Sequence, residues 1–263
     1  MRNYVILLAA IMIYSIGLAQ PKTNQLDAKG KKHGTWVEKY PGTEKTKYTG
    51  EFNHGKPKGT FVHYYENGVK KSESVYDADG KTTRVKYYYE SGKKMSEGKY
   101  ISQKKDSTWV YYDSDGNKNS TEIYKNGLRE GKKNIYFLNG KVSEEIMYKN
   151  DKKNGEWKRY FSDGSVMLKG QNKDDMPSGE VVYYKPNGRT AMKQFYTNGV
   201  LNGPFVEYDD EGKEVNRMYY KNGKKLEGKE LEKYLEEQKN KTNNNKTPDK
   251  NTANKTNNGE KTK

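Results

Sequence analysis

Apolar and polar positions along this chain fall into short runs that break about every dozen residues. Tyrosine recurs at Tyr64, Tyr88, Tyr112, Tyr136, Tyr160, Tyr184 and Tyr208, each 24 residues after the last. Glycine keeps the same step at Gly68, Gly92, Gly116, Gly140, Gly164, Gly188 and Gly212. A second tyrosine column runs through Tyr76, Tyr100, Tyr124, Tyr148, Tyr196 and Tyr220, with Asn172 in the gap. A second glycine column holds Gly59, Gly131, Gly155, Gly179 and Gly203, with Thr83 and Ser107 between. An earlier copy, Gly34 to Tyr40, matches Gly59 to Tyr65 at a 25-residue offset. Recurrence at one period is the signature of a repeat architecture.

Each unit reads as strand, turn, strand, turn. Gly155-Glu156-Trp157-Lys158-Arg159-Tyr160-Phe161 is a short aromatic run, and Ser162-Asp163-Gly164 ends it. Asn-Gly and Asp-Gly at that place tolerate positive φ and suit hairpin turns. Glycine or asparagine every dozen residues excludes long helices. The fold class expected is all-β, an elongated array of antiparallel hairpins with a short C-terminal capping helix. Two strands per unit at about 4.8 Å spacing predict a ribbon roughly 70–80 Å long.

The two ends break the pattern. Arg2 precedes an apolar run from Tyr4 to Ile16, and Gly17-Leu18-Ala19 supplies small residues before Gln20. That reads as an export signal over 1–19, because the run is shorter than the roughly 20 residues needed to span a bilayer. Residues 20–32 read as a linker, 33–226 as the array and 227–239 as the capping helix. Leu231, Tyr234 and Leu235 give that helix one apolar face. From 240 to 263 the chain is almost wholly Asn, Lys and Thr, a composition expected to stay disordered.

Composition narrows the function. The 263 residues carry 50 Lys+Arg against 35 Asp+Glu, 24 Tyr and no Cys. Only 31% are hydrophobic, which argues against a large enzyme with a thick core. The absence of cysteine removes disulfides, thiolate metal sites and thiol nucleophiles.

The repeat, carried by Asn126-Gly127, Gly131, Tyr136 and Asn139-Gly140 and again by Gly155, Trp157, Tyr160 and Asp163-Gly164, resembles MORN repeats. It is most similar to the variant of bacterial proteins in the YwqK antitoxin family, over about residues 33–226. The resemblance implies a non-catalytic β-hairpin array. Some members of that family are named as the antitoxin, or immunity, half of a toxin–immunity pair.

Candidate chemistry is sparse. His33, His54 and His63 lack metal-ligand spacing, so no metal and no cofactor are expected. The turns Asp77-Ala78-Asp79-Gly80 and Asp113-Ser114-Asp115-Gly116 open like calcium loops but have Tyr88 and Tyr124 where the closing glutamate would stand. Arginine supplies only six of the 50 cations, and Arg is the side chain suited to bidentate phosphate contacts; nucleic acid is not an expected partner. Lysine on a thin sheet keeps its surface soluble.

One feature exceeds the needs of the repeat. With the Tyr64 column taken as core, alternation puts His63, Tyr65, Tyr87, Tyr89 and Tyr111 on the opposite, exposed face, where they form a candidate recognition patch. The function expected is a non-catalytic exported scaffold that binds another protein, as an antitoxin- or immunity-type partner. The alternative is a structural or glycan-contacting cell-envelope protein.

Overall fold

The computed structural model describes residues 22–78 and 80–244. The export signal and the tail beyond 244 lie outside them. The chain divides into two compact units, residues 1–104 with 114–116 and residues 105–113 with 117–263.

In the first unit seven strands run β1 (Gln25–Leu26), β2 (Lys32–Lys39), β3 (Thr46–Asn53), β4 (Lys56–Tyr64), β5 (Lys70–Tyr76), β6 (Thr82–Tyr88) and β7 (Lys94–Ile101). Each pairs antiparallel with the next. The outer side of β2 is covered by β1 and, beyond it, by Asn24. Its side chain accepts from Val37 N at 2.7 Å and donates to Val37 O at 2.9 Å, as a neighbouring backbone would.

The second unit contains β8 (Lys104–Tyr112), β9 (Lys118–Lys125), β10 (Leu128–Arg129), β11 (Gly131–Tyr136), β12 (Val142–Lys149), β13 (Lys152–Tyr160) and β14 (Val166–Lys173). It continues with β15 (Met176–Pro177), β16 (Gly179–Tyr184), β17 (Thr190–Thr197), β18 (Val200–Tyr208), β19 (Glu214–Lys221) and β20 (Lys224–Lys225). Pairing is again antiparallel in hairpin order. One helix follows, α1 (Gly228–Asn244), which ends five residues beyond the expected 239 and so takes in residues 240–244 of the stretch expected to be disordered. Its Tyr234 ring packs 5.6 Å from that of Tyr219 on β19, and Leu231 and Leu235 are half-buried beside it.

Two turn types alternate. The pairs Asn126-Gly127, Asn198-Gly199 and Asn222-Gly223 take positive φ at both residues, the type I′ geometry whose twist matches the strands. At the other turn only glycine does so, as at Gly68 and Gly164. The preceding Asn or Asp keeps an ordinary φ and accepts from the amide two residues on: Asn67 from Val69 at 2.9 Å, Asp163 from Ser165 at 2.8 Å.

Every repeat also carries a bulge immediately before its Tyr64-column tyrosine. His63 faces Ser72 but Tyr64 faces Lys70, and the same slip recurs at Tyr88, Tyr112, Tyr136, Tyr160, Tyr184 and Tyr208. These tyrosines are half-buried and are not the main core. Lysine ammoniums lie over several of them: Lys70 at 5.8 Å from the Tyr88 ring, Lys118 at 4.1 Å from Tyr136, Lys169 at 5.7 Å from Tyr184. Lysine stems thus cover tyrosine rings while their charges stay wet. The most buried column is three residues earlier, at Phe61, Val85, Trp109 and Val181.

Candidate binding groove

The patch expected from sequence sits differently from that expectation. His63, Tyr87 and Tyr111 share the face of Phe61, Val85 and Trp109, so they border the core and do not oppose it. Alternation counted from the Tyr64 column assigns them the wrong side, because those half-buried rings follow bulges and are not the core. In the first unit the His63 ring lies 5.4 Å from Tyr48, and its Nδ1 is 3.4 Å from Ser72 Oγ. Burial, with Lys71 and Lys47 nearby, holds the imidazole below its usual pKa. Tyr65 turns away from the row and donates its hydroxyl to the Tyr88 carbonyl at 2.8 Å. Tyr40 does the same to the Tyr64 carbonyl at 2.6 Å. These rings are buttresses between successive hairpins. Tyr89 is half-buried at the corresponding turn position.

Tyr111 belongs to the second unit. It stacks on Trp109 at 6.3 Å, and its hydroxyl meets Tyr124 at 3.3 Å and Lys105 Nζ at 2.8 Å. Lys105 also lies 4.3 Å over the Trp109 ring. Buried Glu122 receives the Tyr124 hydroxyl and pairs with Lys133 at 2.7 Å. Burial pushes the Glu122 carboxyl up, but the bonds from Lys133 and Tyr124 leave it lower than an ordinary glutamate. The cluster is packed and its hydrogen-bonding groups serve one another.

One place on this face of the first unit forms a groove. Cross-strand pairing aligns Ser74, Val85 and Gly98 in a row of small residues. Tyr76, Thr83 and Tyr100 form the row on one side, and Ser72, Tyr87 and Ser96 the row on the other. The Phe61 ring lies on Gly50, where any Cβ would collide with it, and meets the Tyr76 ring edge-on at 5.4 Å. The result is a groove of about 640 Å³ walled by Tyr76, Tyr87 and Tyr100. Ser74, Thr83, Ser102 and Gln103 supply polar groups, and Lys56 and Lys81 stand at its margin. No carboxylate is among its described lining residues. Burial and the neighbouring Tyr87 raise the Tyr76 pKa, so that phenol stays a neutral donor and acceptor. The size falls in the roughly 300–1,000 Å³ range of small-ligand sites.

Of the expected site residues, only Tyr87 lines this groove. Its other walls were missed, although the sequence held a signal: the 24-residue column through Phe61 and Trp109 shrinks to valine at Val85, flanked by Ser74 and Gly98.

Four segments match the family model described as MORN repeat variant: residues 57–80, 81–102, 129–150 and 153–172. The chain carries MORN-variant repeats. The groove lies within the first two matched MORN segments. No curated protein matches the chain. Among solved structures it is similar to accessory secretory protein 1, 2 and 3 of Streptococcus pneumoniae, at 17% identity over 43% of this chain and 19% of that one, with a TM-score of 0.16. A match to TarM has 9% identity over 54% of this chain and 20% of that one, with a TM-score of 0.18. A third, to TcdB2–TccC3, has 15% identity over 77% and 15%, with a TM-score of 0.19. The chain therefore spans at most 20% of the length of any of these three. Among the described residues no helix is long and apolar enough to cross a membrane.

Proposed function

We propose that this MORN-repeat chain is a non-catalytic, exported recognition scaffold, and that it recognises its partner through the groove of the first unit. The observation that carries this reading is the groove over the row of small residues Ser74–Val85–Gly98 between tyrosine walls, a concave surface set on paired strands. A site held on strands is positioned more rigidly than one held on loops. The polar groups in the groove are phenols, aliphatic hydroxyls, an amide and lysines. That set suits contact more than bond-breaking, which ordinarily needs a nucleophile or carboxylate beside a base. The apolar leader supports export. The antitoxin-type protein partner and the envelope glycan both remain compatible with an exported scaffold.

The test is retention on a total cell-envelope fraction, containing protein and glycan together. The mature chain should be retained, and a variant with Tyr87 and Tyr100 both changed to Ala should elute early while keeping its β circular dichroism. Equal retention of the folded variant would place recognition outside the groove.

A further inference from the structure

We infer that the outer edge of β19 docks an extended segment of another protein, which adds to the second unit as its next strand. This goes beyond the groove and does not rest on it.

The edge is open because the chain turns away one strand early. β17 carries β18 on its outer side, with Met192, Lys193 and Gln194 facing Glu207, Val206 and Phe205. The same positions on β19, 24 residues on, are Asn216, Arg217 and Met218. Their inner side faces β18. On the outer side β20 pairs only with Tyr220 and Lys221, and the Leu226 amide donates to the Tyr219 carbonyl at 2.8 Å. The chain then leaves as α1 at Gly228. Among the described residues no strand pairs with the outer side of 216–218. Residues 214–217 are all exposed, Val215 at 61%.

Backbone geometry decides which groups are on offer. The amide and carbonyl of a strand residue point to the same side, and that side alternates along the strand. Tyr219 bonds outward to Leu226, so Met218 points inward to β18 and Arg217 points outward. The N–H and C=O of Arg217 are thus a ladder pair presented to an incoming strand. Charge does not guard them. Glu214, on the same strand, holds the Arg217 guanidinium at 2.7 and 2.5 Å, so the two add no net charge to the edge.

A second copy of the chain fits badly. Paired about a two-fold axis through Arg217, it would set its Val215 against Tyr219, whose carbonyl Leu226 already holds. Its β19 cannot swerve there, because it is paired with β18. A head-to-tail copy would present β2, whose outer side is covered by β1 and Asn24. A flexible segment meets neither obstacle, since it can bend away before Tyr219. In strand addition the main chain supplies affinity and alternate side chains supply specificity. The repeat sets those side chains: as Phe205 and Val206 face Gln194 and Lys193, the segment brings a large apolar residue to Met218 and a β-branched one to Arg217.

The probe is an acetylated, dye-labelled peptide of the chain's own residues 204–210, Pro-Phe-Val-Glu-Tyr-Asp-Asp, standing in for the partner's strand. Added to the mature chain, residues 20–263, it should raise fluorescence anisotropy with a Kd below about 1 mM. The peptide carrying Val206→Pro lacks the N–H that meets the Arg217 carbonyl, and should bind at least about tenfold more weakly. In the protein, Arg217→Pro should abolish binding with the fold kept, since an edge strand tolerates proline where its N–H faces outward. Arg217→Ala keeps the amide and should bind within about twofold of the parent. Hydrogen exchange keeps the test alive if Arg217→Pro does not fold. The peptide should slow exchange of the Arg217 amide at least about tenfold and leave that of Met218, already turned to β18, unchanged. Absence of binding at millimolar peptide overturns the proposal, as does equal binding of the Val206→Pro peptide or unchanged exchange at Arg217. Dimerisation of the chain that a folded Arg217→Pro variant loses would overturn it in favour of a second copy.

Discussion

Val85 and Val181 occupy the same column of the repeat and are both buried, at 4% and 1% exposed, and Val85 lines a groove. In the second unit Val181 is 1% exposed, sealed at the strand next to Gly170. That glycine lets the Trp157 indole settle onto the sheet beside the valine. A Cβ there would come within 2.7 Å of the indole nitrogen and 2.9 Å of Val181. In the first unit the Phe61 ring lies on Gly50 and touches Tyr76 edge-on. The two valines thus differ less in exposure than in what borders them: a ring on the adjoining glycine at Val181, and the groove walls Tyr76, Tyr87 and Tyr100 beside Val85.

The hardest blow to this comparison is dealt in the second unit. Trp109→Ala removes a side chain that is 1% exposed, and should cost about 3–5 kcal/mol in urea unfolding. Val85→Trp instead adds bulk at a side chain that is 4% exposed beside the groove, and should cost about 1–3 kcal/mol. A larger loss than that of Trp109→Ala would show that the groove does not relieve the added bulk.

Gly170→Ala should cost about 1–3 kcal/mol by forcing the indole of Trp157 off the sheet. The loss should shrink when Trp157→Leu is already present, and additive losses in that cycle would break the link between glycine and ring. Tyr65→Phe comes next. It deletes the bond to the Tyr88 carbonyl and should cost about 0.5–1.5 kcal/mol with the fold intact.

The smallest effect is one of pH. The His63 imidazole is held below its usual pKa in the fold, whereas in the unfolded chain it titrates near about 6.5. The unfolded state therefore takes up a proton that the native state resists. The stability associated with neutral His63 is complete above that pH and declines as pH falls below it. Denaturation midpoints measured between pH 8 and 5 should show this limb, and His63→Gln should remove it.

The hairpin architecture was legible because its causes are local. Asn-Gly pairs specify turns, and a 24-residue period of tyrosine and glycine fixes the unit. Faces were less legible. Alternation assigns a side only while register is unbroken, and each repeat slips by one residue before the tyrosine column, as between His63 and Tyr64. Tyr65 and Tyr40 look like exposed aromatics in sequence, but their hydroxyls are tied to backbone carbonyls 23 and 24 residues on. Such a bond between successive hairpins leaves no mark in a strand pattern. The groove was hidden for a related reason: its walls Tyr76, Tyr87 and Tyr100 come together only through the pairing of three strands.

Asn24 has a consequence for how such a chain can change over generations. Its amide occupies both ladder positions of Val37, and it stands outside the repeated segment. The stop at that end is thus written once, in a residue that is not copied when a repeat is copied. Whole 24-residue units can be duplicated or deleted downstream without writing a new stop, and without baring the strand edge on which neighbouring molecules would stack into fibres.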